Sequence, residues 1–585
     1  MEISSLLKEN IAKAVKNLYG VVLPDIHLEH PENDKWGDYA TNVAMGLAKT
    51  VKQPPMEIAK NVCYEIQSFE LYFRRADSKY PIFEKIEVAS PGFINFVLSK
   101  EWLHNVLYNI LESANSYGSA PLGEGKTVLV EYSQPNPNKP MHIGHARNNF
   151  LGSSIAKIHS FLGYNTVSVN YMNDWGTHIC KSMLMYKKHF LGQEPDKKPD
   201  HYVGDLYVLY ETELESNPAL AEELAGMFRD MEAGDPKTLE IWKKIVNWAY
   251  EGWKQTYADQ NVSFDVWMYQ SNYTSAGKEI VNIALERGIA EKDGTGAVIA
   301  RLEKYGIPDK VLLRRDGTSL YSTQDLQLAK DSYEKYKFEK RLYVVDFRQS
   351  DYFRQIFKVL EILGFDWAKK LFHVSYGVVE LPEGKMSSRK GLVVNSDDVY
   401  AQLVALELDE VSHNLKDPDL ALGVAKKVAL AAFRYGMLKV DPSQDIVFDY
   451  STVSRFDGNT GPYLMYTYAR AVSILDKSDF VFDQGAFEYD VHHGLSSDPK
   501  EEAVLREVYF FSEVVEAAGA SFAPSLVANY LFSLAQKYNA FYATSPILTM
   551  TNKEVRTRRL LISKAVSQVL RNGLDLLGIE VVERM

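Results

Sequence analysis

Residues 130–154 read VEYSQPNPNKPMHIGHARNNFLGSS, and the fold turns on them. The apolar run at 128–132 predicts a strand, and SQPNPNKPM after it is crowded with turn residues. A helix is predicted to begin near His145, because Leu151, Ile155, Ile158 and Leu162 recur at helical spacing and Gly163 stands where a C-terminal cap belongs. Alternating Val167, Val169 and Tyr171 predict the next strand. Strand, loop, helix, strand is half of a parallel nucleotide-binding sheet.

Outward from this block the chain divides into three regions. Residues 1–118 open with a helical pattern and pass through the turn-rich HPENDKWGDYATN to a second helix at about 43–49. They close on KIEVASPGFINFVLS, which alternates like strands, and APLGEGKT at 120–127 reads as a linker. Residues 119–397 form a Rossmann-type parallel-sheet domain of α/β class, interrupted at about 187–299 by helices rich in Glu, Trp and Tyr. After this insertion VLLRR and SLYST flank Asp316-Gly317, which predicts a hairpin. LYVVDF is then a strand, 353–363 a helix ending at Gly364, and HVSYGVV another strand. Residues 398–585 read as an all-helical bundle.

Composition sets limits. With 46% hydrophobic and 12% aromatic residues, 585 residues supply several cores rather than disorder. The N-terminus alternates charge with apolar residues, unlike a signal peptide, and no stretch is apolar enough to span a bilayer, so the expected location is the cytoplasm. Two cysteines, Cys63 and Cys180, exclude a thiolate zinc site and argue against a disulfide framework. Net charge is −12, but phosphate binding depends on local basic surface. Between 551 and 571, Lys553, Arg556, Arg558, Arg559, Lys564 and Arg571 face a single acid, Glu554. A solvated helix face explains such a run as readily as a nucleic-acid contact.

The chemistry lies in MHIGH. A helix start offers unpaired amides and the positive end of the helix dipole to a triphosphate. His142 and His145 can donate to phosphate oxygens, and Gly144 lets the nucleotide approach the backbone. Downstream, EGKMSSRKG at 383–391 carries Lys385, Arg389 and Lys390 among the small or flexible Met386, Ser387 and Ser388. Such a loop can close on a triphosphate and neutralise the leaving pyrophosphate. Either element alone has ordinary explanations, as satisfied histidines or a solvated basic loop. Together, on two halves of one sheet, they point to ATP.

These two elements resemble the signatures of class I aminoacyl-tRNA synthetases, HIGH and KMSKS. The longer blocks VEYSQPNPNKPMHIGHARNNFLGSS, NYMNDWGTH, SLYSTQDL, FDGNTGPYLMYTYAR and GLDLLGIEVVERM resemble the arginyl-tRNA synthetase family, essentially end to end. The resemblance implies activation of L-arginine with ATP to arginyl-adenylate and transfer to tRNA(Arg). It also implies Mg²⁺ with the nucleotide, no protein-held structural metal, no membrane association, a monomer, and activation that needs tRNA. It implies an N-terminal tRNA-binding extension and a C-terminal anticodon-binding region, with Lys553, Arg556, Arg558, Arg559 and Arg571 as candidate backbone contacts. Glu131, Asn136, Tyr321, Asp325 and Gln349 fall at the family's arginine-recognition positions. A guanidinium calls for carboxylates that accept its forked donors, which suits Asp325 and Glu131, with Asn136 and Gln349 at the α-amino and carboxylate end. Tyr321 and Asp325, four apart at a predicted helix start, share a face; a helix cap and a core tyrosine are the plainer alternative.

Two departures stand out. Ser388 occupies the place of the second KMSKS lysine, and Lys139, just before HIGH, is the candidate replacement. Gln134 stands where the family more often has serine, a change given little weight. A small nucleotidyltransferase would be far shorter, a catalytically silent relative would not keep His142, His145 and Lys385, and a cysteine-specific enzyme would want zinc thiolates.

Overall fold

A computed structural model of the protein describes residues 3–31, 33–75, 78–274, 277–318, 320–382, 394–478 and 498–585. Five parallel strands form the central sheet, in the order Leu371–Tyr376, Lys340–Asp346, Thr127–Glu131, Asn165–Met172, Val266–Tyr269. The chain enters on the middle strand, builds outward on one side, then returns to build the other. Strand order therefore reverses between Thr127–Glu131 and Lys340–Asp346, and a crevice opens at their carboxyl ends. Both faces are covered, which is why VLV and RLYVV are continuous buried runs. Helix Ile143–Phe161 covers one face. Helices Tyr321–Tyr336 and Ser350–Ile362 cover the other, in a core that includes Leu129, Val169, Leu326, Tyr343, Val345 and Val359.

Three sequence expectations change. The insertion is helical through Thr177–Met185, Pro199–Ser216, Leu220–Glu232 and Pro236–Asp259, but not up to 299. Val266–Tyr269 returns to the parallel sheet, and Val298–Ala300 pairs antiparallel with Ala290–Lys292 on one side and Lys310–Leu313 on the other, making a small second sheet. Asp316-Gly317 does make a turn, with Gly317 at φ +76° and its N–H on the Arg314 carbonyl at 2.9 Å. The expected second hairpin arm is instead the start of helix Tyr321–Tyr336, because Thr323 Oγ1 accepts from Leu320 N (3.2 Å) and closes a first helical turn. Beyond 397 the helices are interrupted by Ile446–Val447, which pairs parallel with Val379–Glu380. The helices near 3 and 43 and the alternating strands at 85–99 appear as Ile3–Tyr19, Val43–Val51, Phe83–Ala89 and Phe93–Leu98.

Contacts group the chain into two compact units. One contains Met1–Tyr117, Arg470–Phe511 and Ser533–Val569; the other contains Gly118–Ala469, Ser512–Phe532 and Leu570–Met585. In the first, buried Asp38 accepts from Leu98 N (2.7 Å) and from Arg506 Nε (3.0 Å), tying helix Pro499–Tyr509 to the N-terminal segment. No helix among the described residues is long and apolar enough to cross a membrane.

Candidate active site

His142 caps helix Ile143–Phe161, and His145 lies one turn in. Nδ1 of His142 accepts the Gly144 N–H and Nδ1 of His145 accepts the His142 N–H, both at 3.1 Å. The rings lie 3.9 Å apart between centroids. Burial and the cations Lys139 and Arg348 hold His142 down to about 4, and burial, His142 and Lys139 hold His145 well below the ordinary value. Both rings are therefore neutral near pH 7. With each Nδ1 taken as an acceptor, the proton of each ring sits on Nε2, available to donate. A Cβ on Gly144 would stand 3.0 Å from Cε1 of His142, so this glycine admits the histidine ring itself. Lys139 is half-buried, and desolvation lowers its pKa.

The residues after HIGH fasten this helix. Arg147, wholly buried, donates to the carbonyls of Gly377, Val378, Asp441, Pro442 and Gln444. Asn148 accepts from Ser133 N (2.6 Å) and donates to Val344 O (2.8 Å), bridging the two central strands. Asn149 donates to Gln260 Oε1 (2.7 Å). The expected phosphate-closing residues Lys385, Met386, Ser387 and Ser388 lie outside the described residues. The chain just beyond them pairs with the motif, Ile143 N on Val394 O (3.0 Å) and Ser396 N on Met141 O (2.9 Å). Next to it, Asp397 meets Asp200 and His201 closely enough to hold a metal ion. The Lys198 ammonium already stands there, 2.5 Å from Asp397 and 3.3 Å from Asp200.

On the opposite face of the same strand end lies a charged pocket. Register places Tyr343, Glu131 and Val169 side by side across three strands. Glu131 is buried, with Oε2 on Arg341 Nη2 at 2.6 Å and Oε1 on Gln134 Nε2 at 2.8 Å. Gln134 reaches it because Ser133 and Gln134 adopt left-handed φ of +77° and +50°, so the departure from serine matters more than the sequence suggested. Arg341 is fully buried and stacks 4.7 Å from the Tyr343 ring. Asp325, one turn into helix Tyr321–Tyr336, accepts from the Tyr352 hydroxyl. Burial raises its pKa to about 6, Glu131 pushing it further up while Tyr352, Arg341 and Lys310 pull it down. Tyr321 is exposed on the same helix face. Asn136 accepts from Asn173 Nδ2 (2.8 Å), and Gln349 is exposed just before helix Ser350–Ile362.

The basic run is not one surface. Arg558 and Arg559 turn inward onto buried Glu501, at 2.9 and 2.6 Å, and Arg559 also donates to Pro546 O. Arg556 is half-buried with its Nε shielded from solvent. Lys553, Lys564 and Arg571 are the exposed cations of helix Lys553–Leu576, and Arg571 engages Tyr468.

Comparison with known proteins bears on this geometry. The family model described as "tRNA synthetases class I (R), catalytic domain" matches residues 106–450, "DALR anticodon binding domain" matches 464–585, and "Arginyl tRNA synthetase N terminal domain" matches 5–98. The chain is 36% identical to the arginine–tRNA ligase of Parabacteroides distasonis and 37% identical to that of Porphyromonas gingivalis, covering 100% of each chain. The chain belongs to the arginyl-tRNA synthetase family. Among solved structures, the Thermus thermophilus arginyl-tRNA synthetase matches it over 100% of both chains, with a TM-score of 0.81 at 26% identity. The Plasmodium falciparum arginyl-tRNA synthetase shares the fold at a TM-score of 0.83 and 20% identity, over 100% of this chain and 99% of that one.

In this synthetase, sequence reading missed Arg341, Tyr352 and the fastening role of Arg147. Arg341 had a signal: a lone charge in the buried run RLYVV must meet an acid, and strand register leads to Glu131. Tyr352 had none, since its partner lies 27 residues away on another helix.

Proposed function

We propose that this arginine–tRNA ligase works with two groups of side chains on opposite faces of one sheet edge. The arginine carboxylate attacks the α-phosphorus of ATP, the bond to pyrophosphate breaks, and arginyl-adenylate forms. A terminal ribose hydroxyl of tRNA(Arg) then attacks the adenylate's carbonyl carbon and releases AMP. His142 and His145 donate from Nε2 to phosphate oxygens, and Gly144 leaves room for the His142 ring to do so. Lys139 and the loop carrying Lys385, Met386, Ser387 and Ser388 draw charge from the leaving pyrophosphate. Mg²⁺, arriving with ATP, would neutralise phosphate charge. Asp325 receives the guanidinium beside Tyr321. Glu131, already engaged by Arg341 and Gln134, contributes mainly through its field. Asn136 and Gln349 hold the α-amino and carboxylate end.

Residues 1–118 and 398–585 are the proposed tRNA-binding regions, flanking in sequence a catalytic domain at 119–397. Within the basic run, Lys553, Lys564 and Arg571 remain as candidate phosphate contacts, while Arg558 and Arg559 are committed to Glu501. A monomer in the cytoplasm completes the reading.

The observation that carries this proposal is the use of both motif Nδ1 atoms as backbone acceptors, which leaves the Nε2–H of two neutral rings to donate at a helix N-terminus. The test is charging of total tRNA with ATP and each amino acid in turn. Arginine alone should be attached; attachment of another amino acid, or of none, overturns the reading.

A further inference from the structure

We propose that Tyr352 is a positioning residue for arginine selection, its hydroxyl holding the Asp325 carboxylate as an anion turned toward the substrate's guanidinium. This rests on the reading that Asp325 receives that guanidinium.

The pocket contains two carboxylates, Glu131 and Asp325, and one internal guanidinium, Arg341. Arg341 is committed to Glu131 at 2.6 Å and donates also to Leu328 O at 3.3 Å. One negative charge is left over, on Asp325, which matches one substrate cation. Asp325 uses Oδ2 to accept from Tyr352, and its Oδ1 carries no hydrogen bond among the described residues. The nearby cation that could quench this carboxylate is Lys310. It sits instead over the face of the Tyr352 ring, 4.2 Å from the centroid, and desolvation disfavours its charge. Tyr352 therefore does two things: it donates to one oxygen of Asp325, and its ring carries the competing ammonium.

The groups that act on Asp325 are Glu131, which disfavours the anion, and Arg341, Lys310 and Tyr352, which favour it. Tyr171 and Tyr343 face the same charge, and their hydroxyls are held protonated by burial. Burial pushes the Asp325 carboxyl up to about 6, whereas burial and nearby cations hold His142 on the other face down to about 4. An acidic limb in arginine capture that comes from Asp325 is therefore expected between pH 5 and 7.5, above the range of His142. Removing the Tyr352 hydroxyl removes a bond that favours the anion, so the limb should move to higher pH.

The experiment measures kcat and KM for arginine, with ATP and tRNA saturating, from pH 5 to 8.5 in wild type, Tyr352→Phe and Asp325→Asn. A hydrogen bond to a charged group predicts that Tyr352→Phe raises KM for arginine about tenfold at pH 7.5, with kcat nearly unchanged and the acidic limb displaced upward by about one pH unit. KM for ATP should stay at the wild-type value, which reports intact folding of the sheet edge. If Tyr352→Phe keeps the wild-type limb while Asp325→Asn loses arginine binding, the Tyr352 proposal fails and the assignment of Asp325 stands. If Asp325→Asn keeps the wild-type KM, the assignment of Asp325 fails, and this inference falls with it.

Discussion

The two faces of the strand end Thr127–Glu131 are built differently. On the phosphate face, His142 and His145 are held by N–H groups of their own helix start, within three residues of one another. On the arginine face, Glu131, Arg341, Asp325 and Tyr352 come from two strands and two helices, separated by up to 221 residues (352 − 131). The first is a local device that any strand–turn–helix of this sequence would form. The second exists only when the sheet closes. Local devices can be read from spacing, whereas assembled ones depend on every element that brings them together.

The sharpest way to break this comparison is Asp325→Asn. Loss of the unpaired carboxylate is expected to raise KM for arginine by about a hundredfold or more, since the guanidinium loses its charged partner. KM for ATP should remain near wild type; a parallel rise in both would mean that Asp325 also supports ATP binding. Next in size, His145→Ala removes a donor to the phosphate and should lower kcat by about a hundredfold while arginine KM holds. Wild-type turnover in that variant would remove His145 from the mechanism.

Arg147→Ala tests the fastening of the helix that carries the phosphate face. It strips donors from five carbonyls in a buried site, and a loss of about 3–5 kcal/mol in a denaturant melt is expected. A smaller effect belongs to the C-terminal helix. Charge reversal at Lys553 and Lys564 should weaken tRNA binding about tenfold and reduce its salt dependence, whereas Arg559→Ala should lower stability instead. Equal effects on tRNA affinity from both changes would undo the division into exposed and inward-facing cations.

The smallest expected effect lies at Lys198–His201–Asp397, beside the exit of the basic loop. Asp397 raises the His201 pKa through a hydrogen bond at 2.9 Å. That contribution is complete below the ordinary histidine value and fades as pH rises through the folded one, so it should be present at pH 5.5 and gone by pH 9. His201→Gln should therefore cost about 1 kcal/mol at pH 5.5 and little at pH 9, seen as converging thermal melts. Asp397 itself, held at about 2, does not titrate in this window.

Much of the fold is legible in the sequence. The helix after HIGH, the strands beside it and the helical tail are all marked by apolar periodicity, because burial imposes it on each element separately. Val266–Tyr269 escaped notice: VWMY sits in a segment crowded with Trp and Tyr, where alternation gives no contrast. The hairpin at Asp316-Gly317 misled for a related reason. The turn is there, but the element after it is decided by Leu320 and Thr323 closing a helical turn and not by the turn residues.

The sequence by itself determined the family, the α/β class and the candidate residues at His142, His145 and Asp325. Each is carried by local pattern or by long matching blocks. Only the tertiary structure decided which charges are already satisfied. Burying a charge is so unfavourable that each must find a partner, and the partner is chosen by packing. Glu131 found Arg341, Glu501 found Arg558 and Arg559, and Asp397 found Lys198 and His201. Asp325, held by Tyr352 and facing no ammonium directly, is the carboxylate of the pocket left for a substrate.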